Sequence, residues 1–317
     1  MKGTILKSYD PFFNLALEDF LLHTGNDEYF LLSVNSPSVI TGRHQVIYME
    51  ADIFAARELN MPVIRRISGG GTVFHDEGNI NFTLIRNSSQ GKQIDFELHT
   101  RPVIEFLRYM GINAMLTGKS NITVDGLKVS GNAEHVFRER VLHHGTLLFN
   151  SSLDKMKRVI RGKTEHYSTK AIESNRAQVI NLRELLPDIA NIDDLASMMF
   201  DYIKKNFFPG MEVLTVAGQE VAGTESLAES KYRTWGWNYG FSPPYSFSGS
   251  FEAYGSPHRV TMYVKDGIIW KCDITGSDLM AVKAKQLIGC RHMPEDIMNI
   301  FRSENIEISD TEIERFF

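Results

Sequence analysis

The chain has 317 residues, of which 43% are hydrophobic and 23% charged, a composition that suits a soluble globular protein able to bury a substantial core. A formal net charge of -5 and a pI near 6.1 argue against nucleic acid as a partner. Its two cysteines, Cys272 and Cys290, lack CxxC spacing, which excludes a zinc or dithiol motif and suits a reducing, cytoplasmic setting; the N-terminus reads as carrying no leader, and no stretch reaches the roughly 18–20 apolar residues of a membrane span.

Asp10-Pro11 is a start signal for a helix over Phe12 to His23. Tyr29 to Val34 reads as a strand, Ala51 to Leu59 as a short helix, and Pro62 to Ile67 and Thr72 to His75 as strands on either side of three glycines. Asn81 to Ile85 continues as a strand, and Phe96 to Met110 as an amphipathic helix stopped by Gly111. Asp125-Gly126 between Asn121–Val124 and Leu127–Ser130 is a hairpin signal. A strand follows over His143 to Asn150 and a helix over Leu153 to Ile160.

The polar stretch 161–176 lacks periodicity and reads as a long loop, the kind that often carries function. Helices resume over Leu182–Leu186, Ile192–Lys205 and Glu220–Tyr232. The aromatic, Gly/Pro-broken segment from Trp235 to Tyr245 marks a domain boundary near 240–248. A hairpin about Lys265-Asp266-Gly267 and three helical patterns, Leu279–Leu287, Pro294–Phe301 and Asp310–Phe317, predict a small α+β C-terminal domain.

Three segments carry candidate chemistry. Arg65-Arg66 precede Gly69-Gly70-Gly71, and bare backbone N–H groups beside two guanidinium groups make a cradle for phosphate, with a solvated surface loop as the alternative. The surrounding spacing is neither GxGxxG nor a P-loop, since Gly118-Lys119-Ser120 has Asn113 where the P-loop needs glycine. Lys128 sits between Leu127 and Val129 ahead of Ser130-Gly131-Asn132; it is either an edge lysine facing solvent or an ammonium aimed into a cleft. His143 and His144 occupy adjacent strand positions, so they point to opposite faces and cannot both line one site.

Taken in order, RRISGGGTVFHDEGNIN, GKSNITVDGLKVSGNA and HHGTLLFN, with a domain after WGWNYG, resemble the lipoate–protein ligase A family over nearly the whole chain. The resemblance implies an α+β (mixed α/β) catalytic domain with a central mixed sheet, related to biotin ligases, over residues 1–242, and an accessory domain over 248–317. It implies ATP, Mg²⁺ and lipoate as ligands, with octanoate as an alternative acid and lipoyl-AMP as the intermediate. The implied acceptors are apo lipoyl domains of 2-oxoacid dehydrogenase E2 subunits and the glycine cleavage H protein. Lys128 is implied to contact both the lipoyl carboxyl and the α-phosphate. Arg66, Gly71, Thr72, Val73 and Phe74 are implied on the nucleotide, with Asn79 and Asn121 in matching blocks. Gly70, Gly71, His75 and His144 are expected on the substrate, whose tail should occupy an apolar tunnel; no metal ligand is assigned. The polar loop is expected to close over the adenylate, a mixed anhydride that water would destroy.

Alternatives remain at this level. A thioester-forming octanoyltransferase needs a cysteine, and residues 1–271 contain none. A transferase that accepts preformed lipoyl-AMP is not separated by sequence. Biotin ligase would carry GRGRxGR where RRISGGG stands. A binding module without turnover would have little use for Arg66, the glycines and Lys128 together.

Overall fold

The computed structural model describes residues 1–88, 94–161, 164–174, 177–306 and 308–317. Its centre is an eight-stranded mixed sheet ordered, by strand, Glu212–Val213, Lys2–Ile5, Tyr29–Val34, Asn79–Asn87, Arg140–Leu148, Leu127–Phe137, Asn121–Val124 and Ala114–Thr117. The first three run parallel and the rest pair antiparallel.

Strand alternation divides the sheet chemically. Phe30, Leu32, Ile80, Phe82 and Leu84 face the helices Phe96–Tyr109 and Ile192–Phe207, where they pack with Phe106, Leu107, Met199 and Ile203. The odd partners, Tyr29, Leu31 and Ile85, face the helix Pro11–His23 and pack with Leu15, Leu17, Leu21 and Leu22. That helix starts where the sequence signals: the Asp10 carboxylate accepts from the Phe12 amide and Pro11 takes the first turn.

A three-stranded sheet, with Ser38–Thr41 between Val63–Arg65 and Val73–His75, stands above the same face. The buried Arg65 fixes it to the aromatic segment. Its guanidinium donates to the carbonyls of Gly42, Arg43, Gln45, Trp237 and Asn238 and to Ser242 Oγ, while Trp237 Nε1 donates back to the Arg65 carbonyl. Burial pulls Arg65 down to about 10, so it is charged at neutral pH and solvated by carbonyl oxygens.

Two expectations change here. The predicted helix over Ala51–Leu59 forms as the shorter Ile53–Glu58, because Asp52 caps it from its side chain at Ala55 N, and a short helix the sequence reading did not foresee, Ile47–Glu50, precedes it. The polar stretch is not loop throughout: Thr164–His166 is a 3-10 turn, and Tyr167–Thr169 adds a strand to a sheet of Tyr245–Ala253, Ser256–Lys265 and Ile268–Thr275. Tyr167 drives this, its ring packing on Tyr245 and Phe247; residues 162–163 and 175–176 of the stretch lie outside the described residues. The interior of this C-terminal sheet is continuous with Ile47, Tyr48 and Ile53, and Tyr48 meets His292 and Phe317.

Candidate active site

Between the large sheet, the small sheet and the Pro11–His23 helix lies a cavity of about 320 Å³. The helix contributes Asn14, Leu15 and Glu18, one i, i+1, i+4 patch; the small sheet contributes Ile40, Val73 and His75; the large sheet contributes Ser33, Asn81, His144, Thr146, Gly131 and Lys128. Gly70, Gly71, Thr72 and Asn121 complete its mouth. The structure therefore brings together Arg66, Gly70, Gly71, Thr72, Val73, His75, Asn121, Lys128 and His144 from the expected set.

Two expected residues do not line it. Phe74 is buried in the core behind the small sheet, because alternation turns it away when Val73 and His75 face in. Asn79 is wholly buried, with Nδ2 spent on Asn81 Oδ1, and it is Asn81, two residues on along the strand, that reaches the cavity.

Lys128 is half-buried and points inward. Burial lowers its pKa, and the positive charge of Arg66 lowers it further. A cation already stripped of water and facing a like charge is primed to receive an anion. Its backbone is clamped from outside: Lys128 N donates to Gln178 O and Ile180 N donates to Lys128 O.

Arg66 is committed to architecture. Nη2 donates to Gly69 O at 2.5 Å and Gly71 O at 2.8 Å, Nη1 to Ile40 O, and Nε to Ser68 Oγ at 2.9 Å. Burial pulls it down to about 10, leaving it cationic. It folds the glycine turn around itself, and Gly70 at φ +83° supplies the left-handed residue that turn needs. The chain continues from Ser68 Oγ to His144 Nε2 at 2.6 Å, and from His144 Nδ1, which donates to Glu18 Oε2 at 2.8 Å. Thr83 donates to the other Glu18 oxygen.

His75 is held in one tautomer. Asn14 Nδ2 donates to Asn35 Oδ1, so Asn35 Nδ2 faces His75 Nδ1 as donor at 2.9 Å and the ring proton sits on Nε2. Burial, with Arg66 and His144 adding, pushes His75 down to about 3.

The adjacent histidines separate as strand geometry requires. His143 lies on the opposite face, its Nδ1 donating to Glu134, which also accepts from His99 Nδ1. Burial works upward on Glu134, and those two imidazoles outweigh it and hold the carboxyl down to about 2.

The tunnel is less apolar than expected. Leu15, Ile40 and Val73 share it with Asn14, Ser33, Asn35, His75 and Asn81. Sequence reasoning passed over Asn14, Glu18, Asn35, Asn81 and Ser174; Glu18 carried a signal, being with Asp19 one of two adjacent carboxylates in a largely apolar helix stretch.

A cavity joining a half-buried ammonium, a glycine turn and a largely polar chamber fits an enzyme that handles the acid head of a small acyl compound. Comparison with known proteins assigns the lineage: residues 10–204 match the lipoyl protein ligase A/B catalytic domain. The chain belongs to that family. It is 35% identical over 297 residues to lipoate–protein ligase 1 of Staphylococcus aureus, covering 91% of this chain and 89% of the relative. LipL1 of P. falciparum, solved in complex with lipoate, has the same fold with a TM-score of 0.63 at 23% identity over 99% of this chain and 97% of its own. A lipoate–protein ligase A structure bound with ATP aligns with a TM-score of 0.61 at 22% identity, over 76% of this chain and 100% of that one. Among the described residues no helix is long and apolar enough to cross a membrane.

Proposed function

We propose that this chain is an ATP-dependent lipoate–protein ligase that makes lipoyl-AMP and passes the lipoyl group to a lysine of a carrier domain. The observation that carries the reading is the Lys128 ammonium, turned into the cavity beside the Gly70–Thr72 turn. In the first step the lipoate carboxylate oxygen bonds to the α-phosphorus of ATP, and the bond to the β-phosphate oxygen breaks to release pyrophosphate. Two anions must meet and negative charge builds on the phosphoryl oxygens. Lys128 sits where both charges converge, and the backbone N–H groups of Gly71 and Thr72, with Asn121, lie at the same mouth to receive the nucleotide. Arg66 acts through shape and field: it sets the turn and adds positive potential while its own N–H groups stay on carbonyls.

In the second step the carrier amine attacks the acyl carbon, loses a proton, and AMP leaves. The enzyme needs no nucleophile of its own. Burial pushes Cys272 up to about 12 and Cys290 up to about 11, so neither offers a thiolate for a thioester route. The lining carboxylate, Glu18, is taken by His144 and Thr83, so the described lining offers no free carboxylate for Mg²⁺. The ion would enter as part of the nucleotide, held by its phosphates.

Residues 1–242 serve as the catalytic unit and 248–317 as an accessory unit, working in the cytoplasm on apo lipoyl domains of E2 subunits and the H protein. The test is incubation with lipoate, Mg-ATP and apo carrier domains, following pyrophosphate release and carrier mass. Release with lipoate plus a lipoyl mass gain on the carrier is the expected result. Carrier modification only from preformed lipoyl-AMP would identify a transferase without adenylation activity.

A further inference from the structure

The inner end of the cavity carries a polar arrangement that adenylation does not use. Strand register places one rung of residues across the large sheet. Ser33 pairs with Asn81, Asn81 with Thr146, and Asn121 with Gly131. Gly131 N donates to Thr146 Oγ1, closing the rung between the two halves. All five residues line the cavity. Lys128 Nζ stands over the Gly131 end, since a Cβ added at Gly131 would lie 2.9 Å from it.

The rung is a ruler. Neighbouring strands lie about 4.8 Å apart, so Asn81 is roughly 10 Å from the Gly131 position. Lipoate has seven bonds from a carboxylate oxygen to its nearer ring sulfur, which spans about 9 Å when extended at roughly 1.3 Å advance per bond. A carboxylate on Lys128 therefore sets the dithiolane beside Asn81.

Asn81 is prepared for a ligand atom. It is 7% exposed, its Oδ1 accepts from Asn79 Nδ2, and its Nδ2 has no partner. A buried donor left unpaired is destabilising. An all-carbon tail leaves that cost in place, whereas a sulfur, a weak acceptor, relieves part of it.

We propose that Asn81 is a specificity residue that reads the sulfur end of the acyl chain and makes the enzyme prefer lipoate to octanoate. This rests on the ligase reading above and adds to it the residue that selects the acid.

The test measures pyrophosphate release with lipoate and octanoate for the wild type and Asn81→Leu. It adds calorimetric binding of lipoate and of 5-cyclopentylpentanoate, the same ring shape without sulfur, to the wild-type chain. The wild type should favour lipoate over octanoate about tenfold in kcat/KM, and Asn81→Leu should bring the ratio to within about threefold. The cyclopentyl acid should bind the wild type about fivefold or more weakly than lipoate. Equal binding of the two ring acids overturns the proposal and needs no variant to fold. A tenfold ratio that survives in Asn81→Leu overturns it as well. Absence of pyrophosphate with either acid in the wild type instead overturns the ligase reading.

Discussion

Lys128 and Gly131 lie three residues apart on one strand, and the missing side chain of Gly131 leaves the space the Lys128 ammonium occupies: a Cβ there would meet Nζ at 2.9 Å and Cε at 3.0 Å. The obstacle is the far end of a flexible side chain, so the backbone need not move. Gly131→Ala should therefore keep the fold and displace the ammonium. We expect a loss of about 10²-fold in pyrophosphate-release kcat, with Lys128→Ala losing about 10²–10³-fold, and both variants melting near the wild type. Normal adenylation by Lys128→Ala would remove the residue from the reaction.

Arg66 predicts a different phenotype. Its donors hold the Gly69 and Gly71 carbonyls and that of Ile40 inside the protein, and removing it strands all three. Arg66→Ala should cost about 3–5 kcal/mol in urea unfolding, the range for breaking a buried charged network. Arg66→Lys cannot fork between two carbonyls and should also lose stability, with KM for ATP rising as the glycine turn loosens. A variant as stable as the wild type with lowered kcat alone would reverse the assignment and make Arg66 a direct phosphate ligand.

Local chemistry explains which parts were readable in the sequence. The hairpin holding Lys128 was legible because Asp125 and Gly126 adopt φ +50° and +81°, the turn that Asp-Gly encodes. His143 and His144 were legible as a split pair because period two is strict. The Tyr245–Ala253 strand was hidden: Tyr245, Phe247, Phe251 and Ala253 alternate inward, but Pro and Ser-Gly neighbours blur the pattern. The Glu18–His144 contact joins residues 126 apart, and no local signal states such a pairing. Asn81 was hidden for a similar reason, since a lone Asn in a strand is ordinary until its unpaired amide is seen.

The polar stretch reaches the glycine turn through Ser174. Ser174 Oγ accepts from Thr72 N at 2.8 Å and from Gln45 Nε2, while Ser174 N donates to Glu50 Oε1. Ser174 thus covers the amide expected to receive the nucleotide, on a chain anchored at Tyr167–Thr169 in one sheet and bridged at Val179 to Lys128. A nucleotide held at the Thr72 amide, as proposed above, would displace Ser174 from Thr72 N. Limited proteolysis across 161–176 should slow severalfold with lipoate and ATP together, once the segment closes on the adenylate. Ser174→Gly should tighten the KM for ATP modestly, because Thr72 N is then uncovered at the start. Identical cleavage rates with and without both substrates would sink the lid.

His75 gives a pH dependence with a fixed sign. Burial depresses it to about 3 in the folded chain, against an ordinary 6.5, and Asn35 donates to its Nδ1. A depressed histidine binds fewer protons folded than unfolded, so its share of stability is complete above about 6.5 and lost as pH falls toward 3. At pH 5 that share is smaller by about 2 kcal/mol, taking 1.36 kcal/mol per unit. His143 and His292, each pushed down to about 4 chiefly by burial, act in the same direction. Urea unfolding of the wild type should therefore weaken between pH 7 and 5. His75→Gln should weaken less, by about 2 kcal/mol, because glutamine has no proton to take up. An unchanged pH slope in His75→Gln would mean that this imidazole is free to ionise inside the folded cavity, and the single tautomer offered to the substrate would be lost with it.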